Sequence, residues 1–435
     1  MMTRHYIAMF LLLVLCGGVH AQKLNISLEE LFRLADENNE TLKAANYGIG
    51  AASEDLLAAK SSRYPDISTS LSASYIANGL LCDRDFGDGS KIDMPHIGNN
   101  FSLQVTQVLY AGGAIKNSIA LSDLGLQMAQ LQNDQKRQEV RFLVAGYFLD
   151  IFKLDNQLRI FDHNIALVGK VLDDLRNRHG QGLALKNDIT RYELQLETLK
   201  MQRSRLIDTK SIVNHQLTQA VGLEPKCEIV PDSSSIITPN MPTTTVDEWI
   251  AATEAAPTLR QMDIAISMSE RKESLAKSDR RPRIALVGEE HFDGPILIEV
   301  PVINKNFNYW FAGIGIQYDI SSLYKSTHGI RKARFETQRA QEERTAVAKG
   351  VSNGIHAVFV QYLQAIRNYE ICEKALSLAN ENYQMTKNRY DNELAVLTDM
   401  LDASNSKLSA ELELTNAKTN IFYYYLNLKY LTGKL

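Results

Sequence analysis

Two long stretches of the chain hold apolar residues in a helical pattern and contain no proline. The first runs from about Ala114 to His179 and the second from Ser326 to about Asn392. At about 1.5 Å per residue, each predicts a single helix roughly 100 Å long, well beyond what a globular domain needs. Each is followed by a short turn and a returning helix of about half the length. The first returning helix has a seam at Ile189, Tyr192, Leu196, Leu199, Arg203, Leu206, Lys210, Val213, Leu217 and Ala220. Steps that alternate between three and four residues suit side-by-side packing of helices. Arg203 and Lys210 in that seam indicate that it is not dry along its whole length.

Elsewhere the period changes from helical to two. Ile67, Thr69, Leu71, Ala73 and Tyr75 alternate with serines from Ser68 to Ser74, which predicts a strand over about 66–76. After a polar loop over about 77–99, Phe101, Leu103 and Val105 alternate with Ser102, Gln104 and Thr106, predicting a strand over about 101–109. Two more strands are expected, over about 283–289 with Ile284 and Leu286, and over about 310–319. In the last of these Trp310, Ala312, Ile314, Ile316 and Tyr318 form one face, with Phe311, Gly313, Gly315, Gln317 and Asp319 on the other. Short helices are expected before the strands. Ser27 can cap the first of them, with Glu30 completing a capping box, and a second covers about Thr41 to Ser62, where Pro65 ends it.

The pattern occurs twice. Thr41-Leu42, Ala59-Lys60-Ser61, Arg63 and Pro65 recur as Thr258-Leu259, Ala276-Lys277-Ser278, Arg280 and Pro282, at one offset of 217 residues. Asn177-Arg178, Leu183-Ala184, Asp188 and Gly222 recur as Asn388-Arg389, Leu394-Ala395, Asp399 and Gly433, at an offset of 211. Each half therefore reads helix, strand, strand, long helix, turn, helix, the signature of a duplication. The expected division is a signal peptide over 1–21, a first repeat over 22–223, a connecting segment over 224–257 and a second repeat over 258–435. The first turn falls at about 180–188 and the second at about 393–399.

Composition adds limits. Arg4 and His5 precede the apolar run Ile7 to Leu15, and Val19-His20-Ala21 offers a cleavage site, so export is expected. Leu15 is a poor residue before a lipid-modified Cys16. A net charge of -4 gives no reason to expect nucleic acid. Mean hydropathy is -0.21, and beyond the N-terminus no run of 18 apolar residues predicts a membrane-spanning helix. Cys82, Cys227 and Cys372 lie far apart and form no disulfide framework or metal motif. The histidines are scattered, and no nucleophile, phosphate loop or dinucleotide fingerprint is present, so neither an enzyme nor a cofactor is expected.

Four alternating strands fit either a soluble sheet packed on a helix or transmembrane barrel strands. The neighbouring helices are too long to fold back over so small a sheet, and an exported chain can reach an outer membrane. Four strands cannot close a barrel, and open edges in lipid leave backbone groups unsatisfied. Copies must then pool their strands, and three copies supply twelve.

With these features in place, the chain resembles the TolC family of outer-membrane efflux proteins over nearly its whole length, Ser27 to Gly433. The resemblance rests on the duplicated layout, on Leu109-Tyr110-Ala111-Gly112-Gly113 leading into the long helix, and on the two turns. These read Arg178-His179-Gly180-Gln181-Gly182-Leu183 and Arg389-Tyr390-Asp391-Asn392-Glu393-Leu394, the second with Asp399 and Asp402 beyond it. Glu393 stands where the family commonly has glycine. The resemblance implies a mainly α protein with a small transmembrane β part. Its homotrimer would form a 12-stranded β-barrel continuous with an α-helical barrel, with the connecting segment and chain ends as a belt around it. It implies an exit duct of a tripartite pump or type I secretion system, set in outer-membrane lipid with its helical tube in the periplasm. The partners implied are a periplasmic adaptor and, through it, an inner-membrane transporter.

By the same resemblance Gly182, Leu183 and Leu394 fall at the adaptor-docking tips. Asp399 and Asp402 match the acidic constriction, and Asp188 and Tyr390 match positions that hold closed tips together. The family's basic gate partner falls at Ala395, which cannot form a salt bridge. Read from the residues alone, Asp399 and Asp402 are acids that complement a helix N-terminus, and Gly182 is a helix stop. A run of tyrosines, Tyr423 to Tyr425, reads as packing between helices. The alternative function is an exported coiled-coil scaffold or adhesin without transport.

Overall fold

The computed structural model describes residues 23–232, 244–299 and 302–435. The expected signal peptide lies outside the described residues. From the N-terminus the elements are β1 (Lys23–Ile26), α1 (Leu28–Asn38), α2 (Glu40–Ser61), β2 (Asp66–Tyr75), β3 (Gly79–Leu81), β4 (Ser90–Ile92), β5 (Ile97–Ala111), α3 (Ala114–Gly180) and α4 (Lys186–Ala220). The chain continues through β6 (Glu228–Pro231), α5 (Val246–Ala252), α6 (Pro257–Ser278), β7 (Arg283–Gly294), β8 (Phe307–Gln317), α7 (Ser322–Asp391) and α8 (Leu397–Leu431). The two long helices hold 67 and 70 residues. Among the described residues no helix is long and apolar enough to cross a membrane.

Two compact units interleave along the sequence. The helical unit takes the described residues of Met1–Asn46, Gln132–Arg260 and Val347–Leu435, and the sheet unit takes Tyr47–Leu131 and Gln261–Ala346.

In the helical unit, Leu31 and Ala35 of α1 meet Val144, Phe148 and Ile151 of α3, Leu217 of α4 and Ile229 of β6 in one buried cluster. A second cluster joins Leu172 and Leu175 to Tyr192, Leu199 and Leu397. The tyrosine run packs between helices: Tyr425 meets Trp249 edge-on at 6.3 Å, and Phe142 lies tilted against Tyr423 at 5.6 Å. The polar seam positions of α4 are matched by acids. Arg203 reaches Asp162 of α3 at 2.5 Å, and Lys210 bridges Asp155 of α3 at 2.7 Å and Glu228 of β6 at 3.0 Å. Lys210 thereby ties two helices to the short parallel ribbon in which β1 pairs with β6.

Ser27 caps α1, accepting from the Glu30 N–H at 3.3 Å. The expected capping box does not close. The Glu30 carboxylate instead grips Arg33 at 2.6 and 3.0 Å, because a bidentate guanidinium is a stronger partner than one backbone N–H. Asn39, unremarked in the sequence pattern, serves both neighbouring helices. Its backbone N–H closes α1 on Ala35, and its Oδ1 accepts from the Thr41 N–H at 3.0 Å at the start of α2.

The sheet unit holds one antiparallel sheet in the order β2-β5-β7-β8. The middle pairing, β5 with β7, joins the two halves of the sequence and bulges between Val108 and Tyr110. β5 begins at Ile97, earlier than its alternation indicates, because Tyr75 of β2 pairs with Ile97 at the end of their ladder. The polar loop holds its own small hairpin of β3 and β4. Gly112 and Gly113, at φ 66° and 95°, turn the chain from β5 into α3. A Cβ on Gly112 would stand 2.5 Å from the Ser278 carbonyl oxygen, so this turn excludes any side chain.

Burial alone would lower the Lys210 pKa, but Asp155 and Glu228 together raise it. The Glu228 carboxyl is held below its usual range, chiefly by the hydrogen bond from Lys210. A depressed carboxyl contributes stability above its unfolded pKa of about 4.3 and loses it as pH falls through the lowered value. Lys210→Met should therefore cost about 2 kcal/mol at pH 7, with the deficit shrinking toward pH 3. Thermal unfolding followed by helical circular dichroism at both pH values checks this; a deficit independent of pH would exclude the carboxylates as the partners that matter.

Candidate functional site

The pair of helix turns in the helical unit and the sheet both leave large apolar side chains exposed.

At the first turn α3 ends at Gly180, and the Leu183 N–H returns to the Arg178 carbonyl at 2.8 Å while the Gly182 N–H bonds His179 at 3.0 Å. At the second, the Leu394 N–H bonds the Arg389 carbonyl at 2.7 Å and the Glu393 N–H bonds Tyr390 at 3.0 Å. Both are the six-to-one, five-to-two closure of a Schellman motif, which needs a left-handed residue at its centre. Gly182 supplies it at φ 77° and Glu393 at φ 62°. The backbone is thus the same at the residue where the second turn departs from glycine. Each turn locks its far side differently. His179 Nδ1 contacts the Ala184 carbonyl at 2.8 Å, and Arg389 donates to the Leu394 carbonyl at 3.2 Å.

The turns present apolar side chains outward. Leu183 and Leu394 are each 69% exposed, and Leu185 and Val396 beside them are 70% and 63% exposed. Behind them Leu397, Met400 and Ala403 are buried at steps of three. Asp399 and Asp402, on the other side of α8, are therefore open to solvent. Asp399 also does what its place at a helix start indicates, accepting from the Val396 N–H at 3.3 Å. Asp188 stands in the first turn of α4. Tyr390 is half-buried against Leu397 and its neighbours, with the Arg178 guanidinium 5.8 Å from its ring centroid. Burial pushes the Tyr390 hydroxyl pKa up; Arg178 works against this, and Asp174 and Asp188 add to it. Asp188 and Tyr390 are thus brought into one electrostatic neighbourhood. Arg178, which the sequence reading did not single out, is its cation and also pairs with Asp174 at 2.9 Å. Ala395 holds no charge, and Arg178 occupies that neighbourhood from the other turn.

In the sheet, the ladders sort side chains into two unlike faces. One face carries Ile67, Leu71, Phe101, Leu103, Val105, Leu286, Phe292, Trp310, Ile314 and Ile316, interrupted by Glu290 between Leu103 and Trp310. The other carries the serine row of β2, then Asn100, Ser102 and Gln104, then Glu289, His291 and Asp293, then Phe307, Tyr309 and Phe311. Ile67, Leu71, Trp310, Ile314 and Ile316 are all exposed. Among the described residues, β2 and β8 each pair on one side only.

A left-handed residue other than glycine costs about 1–2 kcal/mol. Glu393→Gly should tighten the second turn by about 1 kcal/mol, and Gly182→Ala should loosen the first by a similar amount. No atom lies within 4 Å of a Cβ at Gly182, so the loss there would be purely conformational. Amide hydrogen exchange at Leu183 and Leu394 measures both; unchanged protection in either variant would contradict the backbone assignment.

The family described as "Outer membrane efflux protein" matches residues 31–223 and 251–434. The chain is 21% identical over 414 residues to outer membrane protein TolC of Vibrio cholerae serotype O1, covering 94% of this chain and 91% of that protein. Its fold is similar to that of the outer-membrane channel OprN, with a TM-score of 0.78 at 16% identity over 94% of this chain and 90% of that one. It is also similar to VceC from Vibrio cholerae, with a TM-score of 0.75 at 15% identity over 93% and 96%. With the helix turns, the four-stranded sheet and its exposed apolar face already accounted for, the matches over both halves show that this chain belongs to the outer membrane efflux protein family, a family of channels in the outer membrane.

Proposed function

We propose that three copies of this chain form the exit duct of a tripartite efflux pump or type I secretion system. The observation that carries this reading is the sheet: four strands with an apolar face exposed and, among the described residues, two edges unpaired. In lipid such edges must be paired, and pooling four strands from each of three copies gives a twelve-stranded barrel. The duplicated halves, 22–223 and 258–435 with 224–257 between them, each bring two strands to the sheet and one helix turn to the helical unit.

The helix turns are read as the periplasmic tips. Gly182, Leu183 and Leu394 form an outward apolar surface suited to docking the helices of an adaptor, through which an inner-membrane transporter is reached. Asp399 and Asp402, on the open side of α8, would ring the narrow end of the duct, where three copies place up to six carboxylates; rings of this kind favour cations. Asp188 and Tyr390 hold the tips closed, with Arg178 supplying the cation that Ala395 cannot. Asp399 serves as helix cap and ring member together.

The full chain in mild detergent should have the mass of a trimer by light scattering, whereas a stable monomer would sink the barrel reading. Leu183→Asp combined with Leu394→Asp should abolish export in cells while leaving trimer mass and outer-membrane level unchanged. Full export by that double variant would move docking away from the tips.

A further inference from the structure

We propose that the polar face of the sheet holds a subsite for organic cations, built from Glu289 and Asp293 beside the rings of Tyr309 and Phe307. The inference rests on the channel reading only for its role in transport; the subsite itself is defined by the sheet. Three consecutive cross-strand rows build it: Gln104-Glu289-Phe311, Ser102-His291-Tyr309 and Asn100-Asp293-Phe307. In each row a small or carboxamide side chain lies on one side of the charged strand and an aromatic ring on the other.

The carboxylates are held in place. Gln104 Nε2 donates to Glu289 at 3.0 Å, and Asn100 Nδ2 donates to Asp293. His291 lies between them, with Nε2 3.2 Å from Glu289 and Nδ1 3.9 Å from Asp293. An imidazole donating through Nε2 satisfies Glu289 and leaves Asp293 the freer acceptor, since 3.9 Å is beyond hydrogen-bond range. The rings form a continuous stack beside them. His291 and Tyr309 lie 5.0 Å apart with planes 13° from parallel, and Tyr309 and Phe307 lie 5.2 Å apart at 28°. Phe307, Tyr309 and Phe311 remain exposed.

Charge decides what such a surface takes. Across β2, β5, β7 and β8 the acids are Asp66, Glu289, Glu290 and Asp293, and the sole lysine or arginine is Arg283. Arg283 lies at the start of β7, six residues and so about 20 Å along the strand from Glu289. No lysine or arginine on these strands lies beside the pair, His291 is the one basic side chain between them, and the excess of acids over Arg283 disfavours anions. Ring faces attract cations that present apolar surface, by about 0.5–2 kcal/mol each. Among the described residues no group of histidine, cysteine and acidic side chains is arranged to hold a metal ion. Carboxylates beside a ring stack therefore match a cation with an apolar body, such as a quaternary or aryl-substituted onium ion.

Two ions of one shape and opposite charge test this: tetraphenylphosphonium and tetraphenylborate, dialysed to equilibrium against the purified full chain in detergent, with protein-free micelles as reference. The phosphonium should bind roughly tenfold tighter than the borate. Glu289→Gln with Asp293→Asn should lower phosphonium affinity about tenfold, as should Tyr309→Leu with Phe307→Leu. Glu290→Gln removes the same charge from the same strand on the opposite face, and should leave affinity unchanged. Equal binding of the two ions, wild-type affinity in the carboxamide variant, or an equal loss in Glu290→Gln would each overturn the subsite. Planar-bilayer conductance reports the channel reading separately. A protein that conducts but binds both ions alike keeps the channel and loses the subsite, whereas one that discriminates the ions without conducting keeps the subsite and loses the channel.

Discussion

The open edges of the sheet are the constraint on which the rest depends. Every residue on β2 and β8 that points a backbone N–H or C=O outward needs an acceptor or donor, and among the described residues no strand pairs on those sides. In water the need is met by solvent. Beside lipid it is not, and each unsatisfied group costs several kcal/mol. The exposed apolar side chains on one face argue for lipid, so the edges and that face make one demand together. A sheet this small is stable in an outer membrane only as part of something larger.

The helical unit solves a different problem. Its helices are too long to be held by a single core, and separate buried clusters follow one another along them. Between the clusters the contacts turn ionic, as at Lys210 with Asp155 and Glu228. A bundle whose seam alternates apolar and ionic layers fixes register better than a uniform one, because sliding by one turn would bury an unpaired charge. Lys210 shows the economy of this: one ammonium reaches α3 and β6 together, anchoring a ribbon only four residues long.

How much of this was legible in the sequence depends on length and period. Long periodic segments were readable, and so was the alternation Ile67 to Tyr75, because many residues repeat one signal. The pairing of Lys23–Ile26 with Glu228–Pro231 was not, since four residues are too few to establish a period and their partner lies across the chain. β7 was only half legible: Glu289 and Glu290 are adjacent, so one had to face each way, and the alternation vanished where the chemistry of the polar face is densest. At the tips, glycine at 182 announced a left-handed turn, whereas Glu393 concealed an identical one. Arg178 was missed because its partner Tyr390 lies in the other half of the chain, and no local spacing signals a contact of that kind.

The unlike edges of the sheet also limit how copies can join. β2 presents Ser68, Ser70 and Ser72 on its polar face, and β8 presents Phe307, Tyr309 and Phe311. Pairing β2 with β2 and β8 with β8 about a two-fold axis would close both edges only by setting the two copies in opposite directions across the membrane. A head-to-tail ring, β8 of each copy on β2 of the next, satisfies both edges with every copy pointing the same way. Because the sheet is antiparallel with four strands, β2 and β8 run in opposite directions, so the new junction is antiparallel like the others. In such a ring each aromatic row would stand against the next copy's serine row. Bulky rings would then face small hydroxyl side chains at every junction, leaving room over the carboxylates of β7 on the polar face.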